Sequence, residues 1–254
     1  LEKLNPSAKE YEDGLILQVR TLRELEQHKR AADLLETALT QQEQLSAELY
    51  ILLASIYQFT EQMQSCQEIF EQGLEIYPDN EGLLYNYGVF LNQIEQQGQA
   101  MEIMQQLIKM NPEHAGALNY IGYIWADDNV HLSRAFLYIQ RAAFLEPEDG
   151  DIRDSLGWIY YRLGDFKKAQ QELQRANQLS PENPAILDHI AEVYQAAGQP
   201  EEALKTWRRA VAIHQEHQEE SKGKDEKKHN QTAIEINRIQ EKIDSLKQPK
   251  EKKQ

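Results

Sequence analysis

Acidic, histidine and cysteine side chains are the types most able to act in catalysis or metal binding. In this sequence they do not form the pattern of a catalytic or metal site. Asp127 and Asp128 are adjacent, which indicates a loop or capping role more than acid–base catalysis. His214 and His217 could bind a metal ion on one helix face, but the simpler interpretation is a solvated helix end. Cys66 is the only cysteine, and we expect it to be buried and inert.

The sequence also contains no phosphate-binding glycine loop, no nucleophile elbow and no His-Glu-x-x-His helix. We therefore predict a chain without catalytic activity, cofactor or metal. Asp and Glu number 42 against 27 Lys and Arg, which gives a net charge of -15 that would repel nucleic acid. No apolar run approaches the length that a membrane-spanning helix requires.

Three sets of residues recur with one period along most of the chain. The period is 34 or 35 residues in each set, which indicates an array of small structural repeats. The first set is Pro78, Pro112, Pro147 and Pro181; the second is Ala54, Gly88, Gly122, Gly157 and Ala191; the third is Cys66, Ala100, Ala135, Ala169 and Ala203.

Each repeat has the apolar pattern of two short helices. In residues 150–183, one helical stripe of apolar residues ends at Gly164 and a second ends before Pro181. Gly157 falls in the middle of the first helix, where glycine costs about 1 kcal/mol relative to alanine. That cost is explained if the second helix passes close by, with Ala169 as the expected neighbour of Gly157.

These residues resemble the signature of the tetratricopeptide repeat. The clearest match is Leu156, Gly157, Tyr160, Gly164, Ala169, Leu173, Ala176 and Pro181, followed by Leu187, Ala191, Tyr194, Gly198, Ala203, Trp207 and Ala210. The first repeat departs from the signature, with Val19 at the glycine position. The resemblance implies an all-α, right-handed α-solenoid of about six helix-turn-helix repeats, at 12–46, 47–80, 81–114, 115–149, 150–183 and 184–217, within an array spanning 1–217.

A finer resemblance covers mainly residues 115–210. The stretches LNYIGY from Leu118 and DSLGWIYYRLG from Asp154 are similar to those of bacterial multi-repeat proteins, some of which are envelope lipoprotein adaptors. This resemblance implies a bacterial source and a periplasmic or outer-membrane-associated location. Without it, a cytoplasmic location is the expectation.

The resemblance further implies that the first helix of each repeat lines the concave groove of the superhelix. Partner binding is therefore expected at the inward positions of these helices. Those positions hold Tyr85, Asn86, Asn119, Tyr120, Tyr123, Asp127, Asp154, Trp158, Tyr161, Arg162, Asp188, His189 and Glu192.

The chemistry of these positions constrains the partner. Asp154, Asp188 and Glu192 stand where family members that bind a terminal carboxylate place cations, so we expect a basic or neutral peptide or helix. Tyr123 and Trp158 are either anchors for apolar side chains of the partner or part of the packing. The amides of Asn86 and Asn119 could bind the backbone of an extended peptide.

The chain changes character after the sixth repeat. Residues 218–231 read as a charged linker or frayed helix, 232–247 as an amphipathic helix and 248–254 as a basic tail. Ile236, Ile239, Ile243 and Leu246 form the apolar stripe of that helix. It is expected to cap the last repeat, and a short coiled coil with another chain is the alternative.

The sequence thus predicts a non-catalytic interaction scaffold or adaptor, acting within a bacterial envelope complex if the finer resemblance applies. Two alternatives remain open at this point. The array could self-assemble as a homo-oligomer, or it could be the recognition module of a longer protein with an anchor or catalytic domain before Leu1.

Overall fold

The computed structural model describes residues 8–41, 45–221 and 226–247, and within these ranges it contains thirteen α-helices and no strand. The all-α fold predicted from the sequence is confirmed. The helices are α1 (Ala8–Glu24), α2 (His28–Gln41), α3 (Ala47–Phe59), α4 (Met63–Ile76), α5 (Glu81–Gln93), α6 (Gln97–Met110), α7 (Ala115–Asp127), α8 (Leu132–Leu145), α9 (Gly150–Arg162), α10 (Phe166–Leu179), α11 (Pro184–Ala196), α12 (Pro200–Ser221) and α13 (Glu226–Lys247).

The chain divides into two compact units, residues 1–112 and residues 113–254. The N-terminal unit contains the helix pairs α1–α2, α3–α4 and α5–α6. Its core includes a cluster of aromatic rings, in which the Phe70 ring lies 5.4 Å from that of Tyr87 and 5.7 Å from that of Phe90, measured between centroids. The second pair thus packs its apolar side chains against those of the third pair.

The C-terminal unit contains the pairs α7–α8, α9–α10 and α11–α12, followed by α13. Trp207 of α12 is fully buried and belongs to a cluster with Ile190 of α11 and Leu173 of α10. Ile239 and Ile243 of α13 are buried in this same cluster. The C-terminal helix therefore covers apolar surface that the last pair would otherwise expose.

The first helices of three repeats begin at short polar side chains that cap free backbone N–H groups. Asn80 accepts a hydrogen bond from the N–H of Leu83 at 2.9 Å. Asp149 caps α9 in the same way, and Asn183 caps α11 by accepting from the N–H of Ala185 at 3.0 Å. Such a cap stabilises a helix by about 1 kcal/mol, which fixes where each first helix starts.

The turn inside every pair contains a residue in the left-handed backbone conformation. In the fifth and sixth repeats this residue is glycine, which adopts a positive φ without steric cost. In the other repeats a residue with a Cβ takes the same conformation. The series is Glu26, Glu61, Glu95, Asn129, Gly164 and Gly198. The fourth turn adds His131 at φ 49°, next to the residue that the sequence inserts there.

The mid-helix glycines mark close contacts within a pair, but the neighbour of Gly157 differs from the expected Ala169. A Cβ at Gly157 would lie 2.5 Å from Cγ of Leu173 and 3.1 Å from the Leu173 backbone nitrogen. Helical side chains lean toward the helix N-terminus, so Leu173 covers the surface one turn before its own Cα, at the level of Ala169. In the second repeat the small residues do meet, because the Cys66 thiol contacts the carbonyl oxygen of Ala54 at 3.4 Å.

The C-terminal region is more helical than its composition suggested. Residues 218–221 belong to α12 and residues 226–231 to α13, so most of the segment read as a charged linker lies in helices. Glutamate, glutamine and lysine dominate that segment, and these are good helix formers even without an apolar stripe. The basic tail at 248–254 lies outside the described residues.

None of the helices in the described ranges combines the length and the apolar character that crossing a membrane requires.

Candidate functional site

In the C-terminal unit, α7, α9 and α11 carry the predicted inward residues, and we use the name inner surface for this set. It consists of Asn119, Tyr120, Tyr123, Asp127, Asp154, Trp158, Tyr161, Arg162, Asp188, His189 and Glu192. Direct contacts link the three helices across it. Asp154 of α9 binds His189 of α11, and the guanidinium of Arg162 donates to the carbonyl oxygen of Asp127 at 2.8 Å.

The centre of the inner surface is a buried carboxylate–imidazole pair. His189 Nδ1 lies 2.9 and 2.8 Å from the two carboxylate oxygens of Asp154, and both side chains are only 11% exposed. Burial alone would lower the pKa of His189, but the Asp154 charge and hydrogen bond outweigh it, with help from Asp188 and Glu192. The pKa of His189 is therefore raised above its ordinary value, so the contact with Asp154 favours the protonated imidazole.

Aromatic rings enclose this pair. The indole of Trp158 stacks on the His189 ring with centroids 4.3 Å apart and planes inclined by 23°. The Tyr161 ring lies 4.8 Å from that of Trp158 between centroids, and the Arg162 guanidinium lies 5.7 Å from the Trp158 centroid. Tyr123 is half-buried, and burial together with the Asp127 charge raises the pKa of its phenol.

Three polar atoms of the inner surface are buried without a hydrogen-bond partner among the described residues. They are Nε1 of Trp158, Oδ1 of Asn119 and Nε of Arg162. Trp158 is 5% exposed, so its indole N–H has little contact with solvent. An unpaired buried donor or acceptor costs about 1–3 kcal/mol. The three atoms belong to the neighbouring helices α7 and α9.

The acidic residues of α11 are paired with cations of the chain itself. Lys242 of α13 lies 2.7 Å from Asp188 and 2.5 Å from Glu192. Arg238, one turn earlier, lies 3.3 Å from Asp188. Asp188 also accepts a hydrogen bond from the indole N–H of Trp207 at 2.7 Å. This carboxylate is thus fixed from two directions, by α12 and by α13.

These contacts change the view of the inner surface that the sequence suggested. Each of the three inward carboxylates of the fifth and sixth repeats has a partner within the chain: His189 for Asp154, and Lys242 for Asp188 and Glu192. Sequence reasoning missed the role of the two cations of α13. The signal that could have revealed it is their spacing, because Arg238 and Lys242 each precede a buried isoleucine and so flank the apolar stripe.

The remaining predicted residues are distributed as follows. Asp127 is exposed, and Tyr120 is half-buried with the pKa of its phenol raised by burial. Tyr85 and Asn86 belong to α5 of the N-terminal unit, where Tyr85 is half-buried. Asn86 is exposed, and its amide donates to the carbonyl oxygen of Gly82 at 2.8 Å.

Cys66 is completely buried, as expected from the sequence. Burial raises the pKa of its thiol to about 12, so the thiol is protonated at neutral pH. Among the described residues, no group of three or more His, Cys, Asp and Glu side chains converges as a metal site would require.

Comparison with known proteins identifies the repeats. Models of the tetratricopeptide repeat match residues 47–80, 82–114 and 160–222, about half of the chain. The chain belongs to the tetratricopeptide repeat (TPR) family. Members of this family generally act as non-catalytic scaffolds for protein–protein interaction.

Individual relatives agree with this assignment. Over 143 residues the chain is 31% identical to TPR repeat-containing protein PA4667 of Pseudomonas aeruginosa, a match that covers 56% of this chain but 24% of that protein. A TPR protein from Parabacteroides merdae superposes with a TM-score of 0.66 at 14% identity, covering 94% of both chains. YrrB, described as a TPR protein with an unusual peptide-binding site, gives a TM-score of 0.53 at 18% identity over 73% of this chain and 95% of its own.

Proposed function

We propose that this TPR protein is a non-catalytic adaptor that binds a peptide segment of another protein on the α7–α9 part of the inner surface. The observation that carries the proposal is the set of unpaired buried atoms on Asn119, Trp158 and Arg162. A fold does not retain such atoms at no cost, and a bound peptide backbone offers both the carbonyl oxygens and the N–H groups that would pair with them.

The donor and acceptor types favour an extended backbone as the ligand. The indole N–H of Trp158 and the Nε–H of Arg162 can each donate to a carbonyl oxygen, while Oδ1 of Asn119 can accept from an N–H. The half-buried rings of Tyr123 and Tyr161 would contact apolar side chains of the same segment. YrrB, which shares the fold, is described as having a peptide-binding site, and this agrees with the proposal.

The internal pairing of the carboxylates refines the expected charge of that segment. Asp154, Asp188 and Glu192 each have a partner within the chain, so the α7–α9 part does not require a strongly basic ligand. The exposed Asp127 still disfavours an acidic one. We therefore expect neutral or mildly basic peptides with apolar side chains.

The test is selection from a displayed library of random peptides, followed by measurement of the affinities of the selected peptides by calorimetry. Trp158→Phe retains a ring beside His189 but removes the N–H, and Asn119→Ala removes the acceptor. Each change should weaken binding about ten-fold, the effect of losing one hydrogen bond of average strength.

The chain offers a matched control for the second change. Oδ1 of Asn177 is also buried without a partner among the described residues, but Asn177 belongs to α10, the second helix of its pair. Asn177→Ala should leave peptide affinity unchanged. The proposal fails if Asn177→Ala weakens binding as much as Asn119→Ala, or if the library yields acidic C-terminal peptides.

We infer a bacterial envelope complex as the cellular setting, because residues 115–210 resemble envelope adaptors and the relative with 31% identity is from Pseudomonas aeruginosa. Fractionation of the source bacterium with an antibody against the protein tests this inference. Recovery in the envelope fractions supports it, and recovery only with the cytoplasmic fraction contradicts it.

A further inference from the structure

The C-terminal helix α13 contacts part of the inner surface. Its Lys242 contacts Asp188 and Glu192, both of which are predicted inward positions of α11. Capping alone does not require these contacts, because the apolar residues Ile239 and Ile243 already cover the cluster around Trp207. The two cations therefore add electrostatic contacts to the apolar packing of α13.

The positive charges of α13 also reach the aromatic part of the inner surface. Arg238 acts on the phenol of Tyr123 and Lys242 on that of Tyr161, in both cases lowering a pKa that burial raises. Tyr123 belongs to α7 and Tyr161 to α9. The charges of α13 thus contact α11 directly and also act on tyrosines of α7 and α9.

The attachment of α13 combines a small apolar contact with contacts that ionic strength weakens. Of its described side chains, only Thr232, Ile239 and Ile243 are buried, and Ile234 is 59% exposed. Arg238 is 55% exposed in its contact with Asp188, whereas Lys242 is 23% exposed in its contacts with Asp188 and Glu192. The contact of the exposed Arg238 is weak and is screened by salt, and the contacts of Lys242 are screened less. A helix attached in this way can be exchanged for another of the same character.

We propose that α13 is an internal ligand of the α11–α12 surface, and that a partner's amphipathic helix with the same pattern takes its place. The pattern is defined by α13: two cations four residues apart, each followed by a branched aliphatic residue. Asp188 recognises the cations, held in position by the indole N–H of Trp207, and the apolar cluster receives the aliphatic residues. The mode is helix-in-groove recognition, with the chain's own helix as the competitor.

The connection between α12 and α13 makes this competitor effective. Only residues 222–225 separate the two helices in sequence. A short tether gives an internal ligand an effective concentration on the order of 1 mM, so an external helix of equal intrinsic affinity binds far more weakly than it would to a vacant surface. Release of α13 would therefore expose a site that the resting protein conceals.

The test uses the full chain and a fluorescent synthetic peptide with the sequence of residues 229–247. Arg238→Glu together with Lys242→Glu places negative charges opposite Asp188 and Glu192 and should release α13. This double variant should bind the peptide roughly 100-fold more tightly than the wild-type chain does. The control, Lys205→Glu with Arg208→Glu, makes the same change in charge at exposed positions of α12 and should bind as the wild type does.

Hydrogen exchange on the wild-type chain provides a second test, independent of whether the double variant folds. Excess peptide should speed the exchange of the α13 amides and leave those of α9 unchanged. The proposal is overturned if the peptide binds the wild type and the double variant equally, if it binds neither, or if α13 exchange does not respond to it. Trp158→Phe should not alter binding of this peptide, which separates the result from that for the α7–α9 part.

Discussion

At the scale of single residues, the centre of the inner surface is determined by one buried pair and the ring stacked on it. Either Asp154 or His189 would be costly to bury alone. Buried together, each gives the other a hydrogen-bond partner. The sequence identified both residues as inward-facing but not their contact. They lie 35 residues apart, and their meeting depends on how one repeat is placed against the next, which a local pattern does not specify.

The pair predicts a pH-dependent contribution to stability. Because the folded-state pKa of His189 is raised above 6.5, the stabilisation is fully present below pH 6.5 and is lost as pH rises through the raised pKa. Asp154→Asn should therefore reduce the free energy of unfolding by roughly 2–3 kcal/mol at pH 6 and by less at pH 9. Urea denaturation at the two pH values measures the difference.

His189→Gln is the matched variant for this prediction, because it removes the titrating group and leaves the carboxylate. In His189→Gln the free energy of unfolding should depend less on pH, so it should fall less than that of the wild type between pH 6 and pH 9. Wild-type and Asp154→Asn curves that run parallel over this range would show that the pair makes no pH-dependent contribution.

At the scale of helices, the period of 34 or 35 residues indicates the repeats, and the apolar stripes within a repeat predict its two helices. Both signals are local in sequence. The period does not reveal the backbone conformation of the turns. Glu26, Glu61 and Glu95 adopt the left-handed conformation that Gly164 and Gly198 adopt elsewhere. Glutamate carries no turn signal, so these positions are recognised only by counting back from the two glycines.

The conformation of the third turn predicts a stabilising substitution. A residue with a Cβ in the left-handed region costs about 1–2 kcal/mol, and Glu95 has a φ of 63°. Glu95→Gly relieves this cost, partly offset by the greater entropy of the unfolded chain, so a net gain of about 0.5 kcal/mol is expected. Gly164→Ala should do the reverse and cost about 1 kcal/mol, although a Cβ added at Gly164 would meet no atom within 4 Å. Thermal unfolding compares the two, and a lower Tm for Glu95→Gly would contradict the argument.

The mid-helix glycines predict a destabilising substitution for a different reason. Gly157→Ala would place a Cβ 2.5 Å from Cγ of Leu173 and 3.1 Å from its backbone nitrogen, so the helices of the pair must separate. A loss of about 2–3 kcal/mol in the free energy of unfolding is expected. Gly98→Ala is the control, since Gly98 is helical with nothing within 4 Å, and it should stabilise by up to about 1 kcal/mol. Similar effects of the two changes in urea denaturation would refute the close-packing explanation.

Within the C-terminal helix, the sequence revealed the apolar stripe but not the electrostatic contact. Ile239 and Ile243 have the spacing of a covering helix and are buried as such a helix requires. Arg238 and Lys242 are inconspicuous in a segment rich in charge, and their importance comes from Asp188 and Glu192, which are about 50 residues away in sequence. Contacts over that separation follow from the tertiary fold and not from any local pattern.

At the scale of the whole molecule, the net charge of -15 destabilises the compact state through repulsion among like charges. Salt should therefore stabilise the fold as a whole and weaken the attachment of α13. Screening by salt reduces the repulsion among the acidic side chains, so the Tm should rise by about 2–5 °C between about 20 mM and 500 mM NaCl. The same screening weakens the contacts of Lys242 and Arg238, so amide protection of α13 should fall over this range. Lys205→Glu with Arg208→Glu lowers the net charge by four, from -15 to -19, and should reduce the Tm at low salt but much less at high salt. A Tm that falls with salt would mean that attractive contacts, and not net repulsion, dominate the electrostatics of this chain.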